Sequence, residues 1–272
     1  MEFLITGDTH GDFRTRLNNM REDLLQDTNL GLIVLGDASF NFFLNERDSK
    51  CKNYVSKTFA GYVYCVRGNH EQRPSLIPTM RLIYDENVKG EVWVEDKWPR
   101  IRYFKDYGEY DLNGLSTYVI GGAYSVDKYY RLNGRSEFTE EWTGWFSCEQ
   151  LTSAEIQKIE QLTSNRKYDL VLAHICPTKW EPTEMFLNFI DQNQVDKFMN
   201  NWLESWCPQH MHKKSIFLFG HYHSDMLIRP RVEMFYQNSE FLSDIIKRWE
   251  EYDKTKNLPW WIHTSQKFYM ED

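Results

Sequence analysis

Residues 62–71 read Tyr62-Val63-Tyr64-Cys65-Val66-Arg67-Gly68-Asn69-His70-Glu71, an apolar and partly β-branched run that stops abruptly at glycine, amide, imidazole and carboxylate. Such a run predicts a short buried strand that ends in a turn. The same pattern occurs four more times. Phe3-Leu4-Ile5 leads into Gly7-Asp8, Leu32-Ile33-Val34-Leu35 into Gly36-Asp37, Leu170-Val171-Leu172-Ala173 into His174, and Ile216-Phe217-Leu218-Phe219 into Gly220-His221-Tyr222-His223. Helices are predicted between them, near 15–27, near 47–60 and from Thr152 to about Leu162. At the last of these, Thr152-Ser153-Ala154-Glu155 has capping-box spacing. Alternating strands and helices make an α/β protein. Continuous apolar strands imply sheets covered on both faces, and chemistry in such sheets collects at strand carboxyl ends.

Around this frame, residues 89–130 read as further strands and turns, and 241–272 as a terminal helix and tail packing on one main domain of residues 1–240. The 272 residues carry 40 acidic and 32 basic side chains, a formal charge of −8. With 41 % hydrophobic and 16 % aromatic residues the chain is neither disordered, collagenous nor a disulfide scaffold. The acidic balance argues against a duplex-DNA binder, which needs a basic face. Apolar runs are strand-sized, so no membrane span is expected. Met1 to Ile5 runs into Gly7-Asp8 without room for an export signal, and five cysteines without scaffold spacing suggest reduced thiols. A cytoplasmic location is the expectation.

The strand-end residues Asp8, His10, Asp37, Asn69, His174, His221 and His223 amount to two carboxylates, an amide and four imidazoles. That donor set suits two ions of Mn²⁺, Fe, Zn²⁺ or Mg²⁺, with Mn²⁺ favoured, and a carboxylate on a middle strand can bridge them. Two such ions clamp a phosphoryl group and activate water. His70, one residue beyond Asn69, is placed to protonate a leaving oxygen.

The order Gly7-Asp8-Thr9-His10-Gly11, Gly36-Asp37, Arg67-Gly68-Asn69-His70-Glu71, His174, Gly220-His221-Tyr222-His223 resembles the calcineurin-like metallophosphoesterases, over residues 1 to about 225. Its Arg-Gly-Asn-His-Glu form is similar to the phosphoprotein phosphatase and bacterial diadenosine tetraphosphatase branches, and the block Gly121 to Asp127 followed by Arg131 resembles one in uncharacterised bacterial and phage members. The resemblance implies a four-layer α/β/β/α sandwich of two mixed sheets flanked by helices, with the metal site at the strand carboxyl ends. It also implies one ion on Asp8, His10 and His223, a second on Asn69, His174 and His221, Asp37 as the bridge and His70 as the general acid.

The chain departs from phosphoprotein phosphatases after the second motif. Their Asp-Arg-Gly stretch, whose Arg grips phosphate and whose Asp orients the acid histidine, is replaced by Ala38-Ser39-Phe40-Asn41. A cation from elsewhere is therefore expected: Arg131 first, following the block Gly121-Gly122-Ala123-Tyr124-Ser125-Val126-Asp127, then Arg135 or Arg73, with Asn41 a further candidate substrate contact. Arg67 reads as structural, facing a carboxylate such as Glu71. His210-Met211-His212 reads as a solvated loop, and Trp142, Trp145 and Phe146 as packing. The expected activity is hydrolysis of a phosphomonoester, phosphoprotein or nucleotide. A phosphodiesterase or nuclease, and a non-catalytic scaffold, are the alternatives.

Overall fold

The computed structural model describes residues 1–133, 144–186, 190–259 and 261–265. The chain begins with β1 (Glu2–Thr6), the short helices α1 (Phe13–Asn18) and α2 (Glu22–Leu25), β2 (Leu30–Val34), α3 (Glu46–Thr58) and β3 (Tyr62–Cys65). A run of strands follows, β4 (Met80–Asp85), β5 (Gly90–Glu95), β6 (Ile101–Phe104), β7 (Tyr107–Leu112) and β8 (Leu115–Ile120). Next come α4 (Lys128–Leu132), α5 (Ser153–Thr163), β9 (Tyr168–Ala173), α6 (Phe198–His210) and β10 (Met211–Phe219). The last elements are β11 (Met226–Arg229), β12 (Val232–Met234), β13 (Ser239–Phe241) and α7 (Leu242–Thr255).

Among the described residues these strands form a seven-stranded sheet, β13-β1-β2-β3-β6-β5-β4, and a six-stranded sheet, β11-β12-β10-β9-β8-β7. Strands β1, β2, β3 and β6 run parallel, as do β8, β9, β10 and β12. Antiparallel pairing is left to the flanks. The central strands of each sheet therefore end on the same edge.

Side-chain alternation explains the layering. On β2, Leu32 and Val34 turn to a cluster with Phe13 and Leu17 of α1, Val55 of α3 and Phe59 just past it. Ile33 turns the other way, into a shared core where Phe3, Ile5 and Tyr64 meet Val119, Leu170, Leu172, Ile216 and Leu218 of the second sheet. On that sheet's far face Val171, Phe217 and Phe219 join Ile156 and Ile159 of α5 and Met199, Trp202, Leu203 and Trp206 of α6. The result is the expected α/β/β/α sandwich. Helix α7 adds Leu242, Ile245 and Trp249 to the inter-sheet core.

The helix predicted near 15–27 is instead two short ones. Asp12 caps α1 by accepting from the Thr15 amide, and the helix gives out at Asn18-Asn19, residues whose side chains compete with helical hydrogen bonding. The predicted capping box at Thr152 and Glu155 is present. Residues 207–212 are not a solvated loop: they close α6 and open β10. His210 is buried with Nδ1 against the Arg166 carbonyl at 3.0 Å, and His212 pairs with Asp169 at 2.9 Å.

Candidate metal centre

Each strand end delivers its polar side chain one to four residues past the last strand residue, so the parallel register carries over into the turns. Two glycines make the close approach possible. Gly36 has φ +98° and lies against the His174 imidazole, while Gly68 lies against the Asp37 carboxylate; a Cβ at either would overlap that side chain. The candidate ligands are themselves strained, with His10, Asp37, His221 and His223 all at positive φ. Non-glycine residues there cost on the order of 1 kcal/mol each and persist where the surroundings demand it.

The donors gather in two groups. In one, His10 Nε2 and His223 Nε2 lie 2.9 Å apart. In the other, His174 Nε2 stands 3.0 Å from Asn69 Oδ1 and 3.3 Å from His221 Nδ1. Asp37 is common to both. Its Oδ2 is 3.5 Å from His174 Nε2, and ligand atoms of Asp37, His10 and His70 lie within 4.8 Å of one another, as do those of Asp37, Asp8 and His174. His174 Nδ1 donates to the Leu35 carbonyl at 2.9 Å, which orients the ring with Nε2 facing Asn69 and His221. Asp8 Oδ2 accepts from the His221 amide at 2.9 Å, but its Oδ1 is buried without a hydrogen bond among the described residues.

His174, Asp37, Asp8 and Asn69 are 0, 1, 2 and 3 % exposed, too buried for unpaired charge. Burial pushes Asp8 up to about 7, against the opposing His174 imidazole and helped by the Asp37 charge. Burial acts on Asp37 too, yet the imidazoles of His70, His174 and His10 outweigh it and hold that carboxyl well below its usual range. Burial pulls His174 down, and Asp37 and Asp8 more than reverse this, to about 9. Burial lowers His221 and takes His223 to about 4, the latter with help from His10. Asp8 is thus short of positive charge, and its Oδ1, 3.4 Å from His174 Nδ1, accepts no hydrogen bond among the described residues. A divalent cation fits that deficit, and the mixed nitrogen and oxygen donors suit Mn²⁺, Fe, Zn²⁺ or Mg²⁺.

His70 adjoins this cluster. Its amide donates to Asp37 Oδ1 at 2.8 Å and its Nε2 lies 3.8 Å from Asp37 Oδ2. Burial lowers its imidazole to about 4, opposed by Asp37 and reinforced by Arg131. Arg131 is brought to the site, with Nη2 3.5 Å from His70 Nε2. Its Nε donates to Asp127 at 2.7 Å and its Nη1 to the Gly144 carbonyl at 2.7 Å, so part of the guanidinium fork grips its own loop.

The other candidate contacts are placed elsewhere. Arg73 donates to the Cys148 and Gln150 carbonyls and pairs with Asp106 and Glu155, so all of its nitrogens face protein. Asn41 Oδ1 accepts from Lys52 at 2.7 Å beside the buried Lys52–Glu95 pair, so its amide oxygen is already engaged. Arg135 and Trp142 lie outside the described residues. Arg67 is structural as expected, but its carboxylate partner is Asp106 at 2.6 Å, not Glu71. Phe146 is buried and packs 6.3 Å from Phe42, while Trp145 carries the Lys128 ammonium 4.5 Å from its ring.

Several supporting residues went unread in the sequence. The Asp225 carboxylate accepts from the amides of Tyr236, Gln237 and Asn238, and Tyr236 stacks on His223 at 5.1 Å. Arg16 donates to the Tyr236 carbonyl at 2.7 Å and the Asp8 carbonyl at 3.3 Å. Only Asp225 carried a signal, two residues beyond His223.

A family model described as calcineurin-like phosphoesterase matches residues 1–225, a span that includes every candidate ligand and both sheets through β10. No curated protein matches the chain significantly.

Proposed function

This chain belongs to the calcineurin-like phosphoesterase family, whose members hydrolyse phosphoesters with divalent metals, and on that premise we propose that it is a phosphatase with a two-metal centre. Asp8, His10 and His223 would hold one ion, Asn69, His174 and His221 the other, and Asp37 would be shared. The observation that carries this is Asp37, buried between the His10–His223 pair and the Asn69–His174–His221 group. Two divalent ions, when bound, supply an activated water and draw charge from the phosphoryl oxygens.

The chain's own residues do the rest. Arg131 Nη2 meets the phosphate and is held in place by Asp127 and Gly144. His70 Nε2 holds the proton for the leaving oxygen. In the free site His70 is neutral at pH 7, because burial and Arg131 both disfavour its charged form. A phosphate seated between Arg131 and His70 brings the negative charge that favours the imidazolium. The substrate is thereby part of the device that loads its own acid.

The test is a panel of phosphomonoesters, phosphodiesters, phosphopeptides and dinucleoside polyphosphates assayed after chelation and again after addition of Mn²⁺. Monoester turnover that vanishes on chelation and returns with Mn²⁺ is expected. Faster turnover of diesters would replace the phosphatase reading with a phosphodiesterase. No turnover of any substrate by the Mn²⁺-loaded protein would leave a scaffold.

A further inference from the structure

Asn69 differs from the other candidate ligands in one respect: its amide presents an acceptor on one side and a donor on the other, and the two are nearly the same shape. A half-turn would aim Nδ2 at the ion and destroy the ligand. Asn69 Nδ2 donates to Ser125 Oγ at 2.9 Å, Ser125 Oγ donates to Glu149 Oε2 at 2.5 Å, and the Ser125 amide donates to Glu149 Oε1 at 3.2 Å. All three residues are buried, at 2–3 % exposure. The Ser125 amide can only donate, which makes Oε1 an acceptor, and the ionised carboxylate accepts at Oε2 as well, so the hydroxyl donates to it and accepts from Asn69. Polarity runs one way along the chain and leaves Oδ1 facing His174 Nε2 at 3.0 Å.

We propose that Ser125 and Glu149 are positioning residues that fix the orientation of the Asn69 amide, so that one ion of the pair depends on a loop after β8 as well as on the strand ends. The inference rests on the reading of Asn69 as a ligand. Supporting groups of this kind are worth on the order of 10- to 100-fold in metal affinity.

Glu149→Gln inverts the relay with almost no change of shape. The Ser125 amide still needs an oxygen, so the glutamine NH₂ faces the hydroxyl and donates to it. The hydroxyl proton then points at Asn69 and selects the flipped amide. Ser125→Ala removes the relay, and Ser125→Thr keeps it.

Titration with Mn²⁺ alone, reading free ion by electron paramagnetic resonance, tests this, with circular dichroism and Tm checking the fold. Glu149→Gln and Ser125→Ala should each lose about tenfold or more in affinity for one of two ions while the other stays within about twofold; Ser125→Thr should bind like the wild type. Wild-type affinities at both ions in the two disrupting variants, with one ion lost in Asn69→Ala, would overturn the relay and spare the metal centre. Two ions bound normally by Asn69→Ala would overturn the ligand reading beneath it, and the relay with it.

Discussion

The strand ends and the loop after β8 contribute to one site, but they place their residues by different means. Asp8, Asp37, Asn69, His174 and His221 stand one to four residues beyond strands locked in parallel register. Their positions are inherited from backbone hydrogen bonding. Ser125 and Arg131 stand five and eleven residues beyond β8, and they are held by side-chain contacts to Glu149, Asp127 and the Gly144 carbonyl. A frame built on register tolerates loss of a single neighbour, whereas one built on single side-chain bonds does not. The first group would be expected to hold the ions, and the second to tune them and meet the substrate.

The largest effect should come from the residue common to both donor groups. Asp37→Asn removes a negative charge shared by two cations, so both Mn²⁺ sites should weaken together, by on the order of 10²-fold or more, with activity lost. Weakening of one site alone would break the comparison at its centre. His70→Ala should keep both ions and lower kcat by about 10² to 10⁴ on substrates with poor leaving groups. On p-nitrophenyl phosphate, whose leaving group needs little protonation, the loss should be much smaller. Equal losses would remove the acid role.

The two arginines sharpen the contrast between a loop contact and a structural one. Arg131→Lys keeps charge but gives up the bonds to Asp127 and Gly144, so KM should rise or kcat fall by about tenfold with metal content unchanged. Arg73→Ala should leave the kinetics near wild type. It removes the arginine partner of Glu155 and one of the two arginines on Asp106, which keeps Arg67, and should lower stability by about 2 kcal/mol, read as a fall in Tm. A kinetic defect in Arg73→Ala without loss of stability would reverse the assignments.

The remaining effect is one of pH. In the metal-free chain Asp8 titrates near 7 and His174 near 9, both raised, so both hold protons that an incoming cation must displace. Affinity for Mn²⁺ should therefore increase as pH rises through this window, by up to about tenfold per pH unit for each proton released. Calorimetry in buffers of different ionisation heat counts those protons; affinity independent of pH here would contradict the electrostatics of the cluster.

What could be read in the sequence follows the same division. The five strand ends and their ligand-type residues were legible because a short apolar run ending in glycine and a polar residue fixes both the strand and the edge where it stops. Arg73 was named for its guanidinium and Asn41 as a further substrate contact, but Arg73 is taken up by Asp106, Glu155 and two carbonyls, and the Asn41 amide oxygen by Lys52. Ser125 belonged to a quoted block without a role, and Glu149 had no local signal, since only the folded loop brings it to Asn69. Helix α6 was missed although Met199, Trp202, Leu203, Trp206 and His210 recur at helical spacing along its buried face. The helix expected at 15–27 failed where Asn18-Asn19 interrupts the pattern.

The central claim is that one buried carboxylate joins two donor groups into a two-metal centre. The most direct measurement is the Mn²⁺ content of the dialysed protein together with its electron paramagnetic resonance spectrum. Two ions per chain with an exchange-coupled signal are expected, because ions bridged by Asp37 would lie roughly 3.5 to 4 Å apart. A stoichiometry of one, or two ions with uncoupled signals, would contradict it.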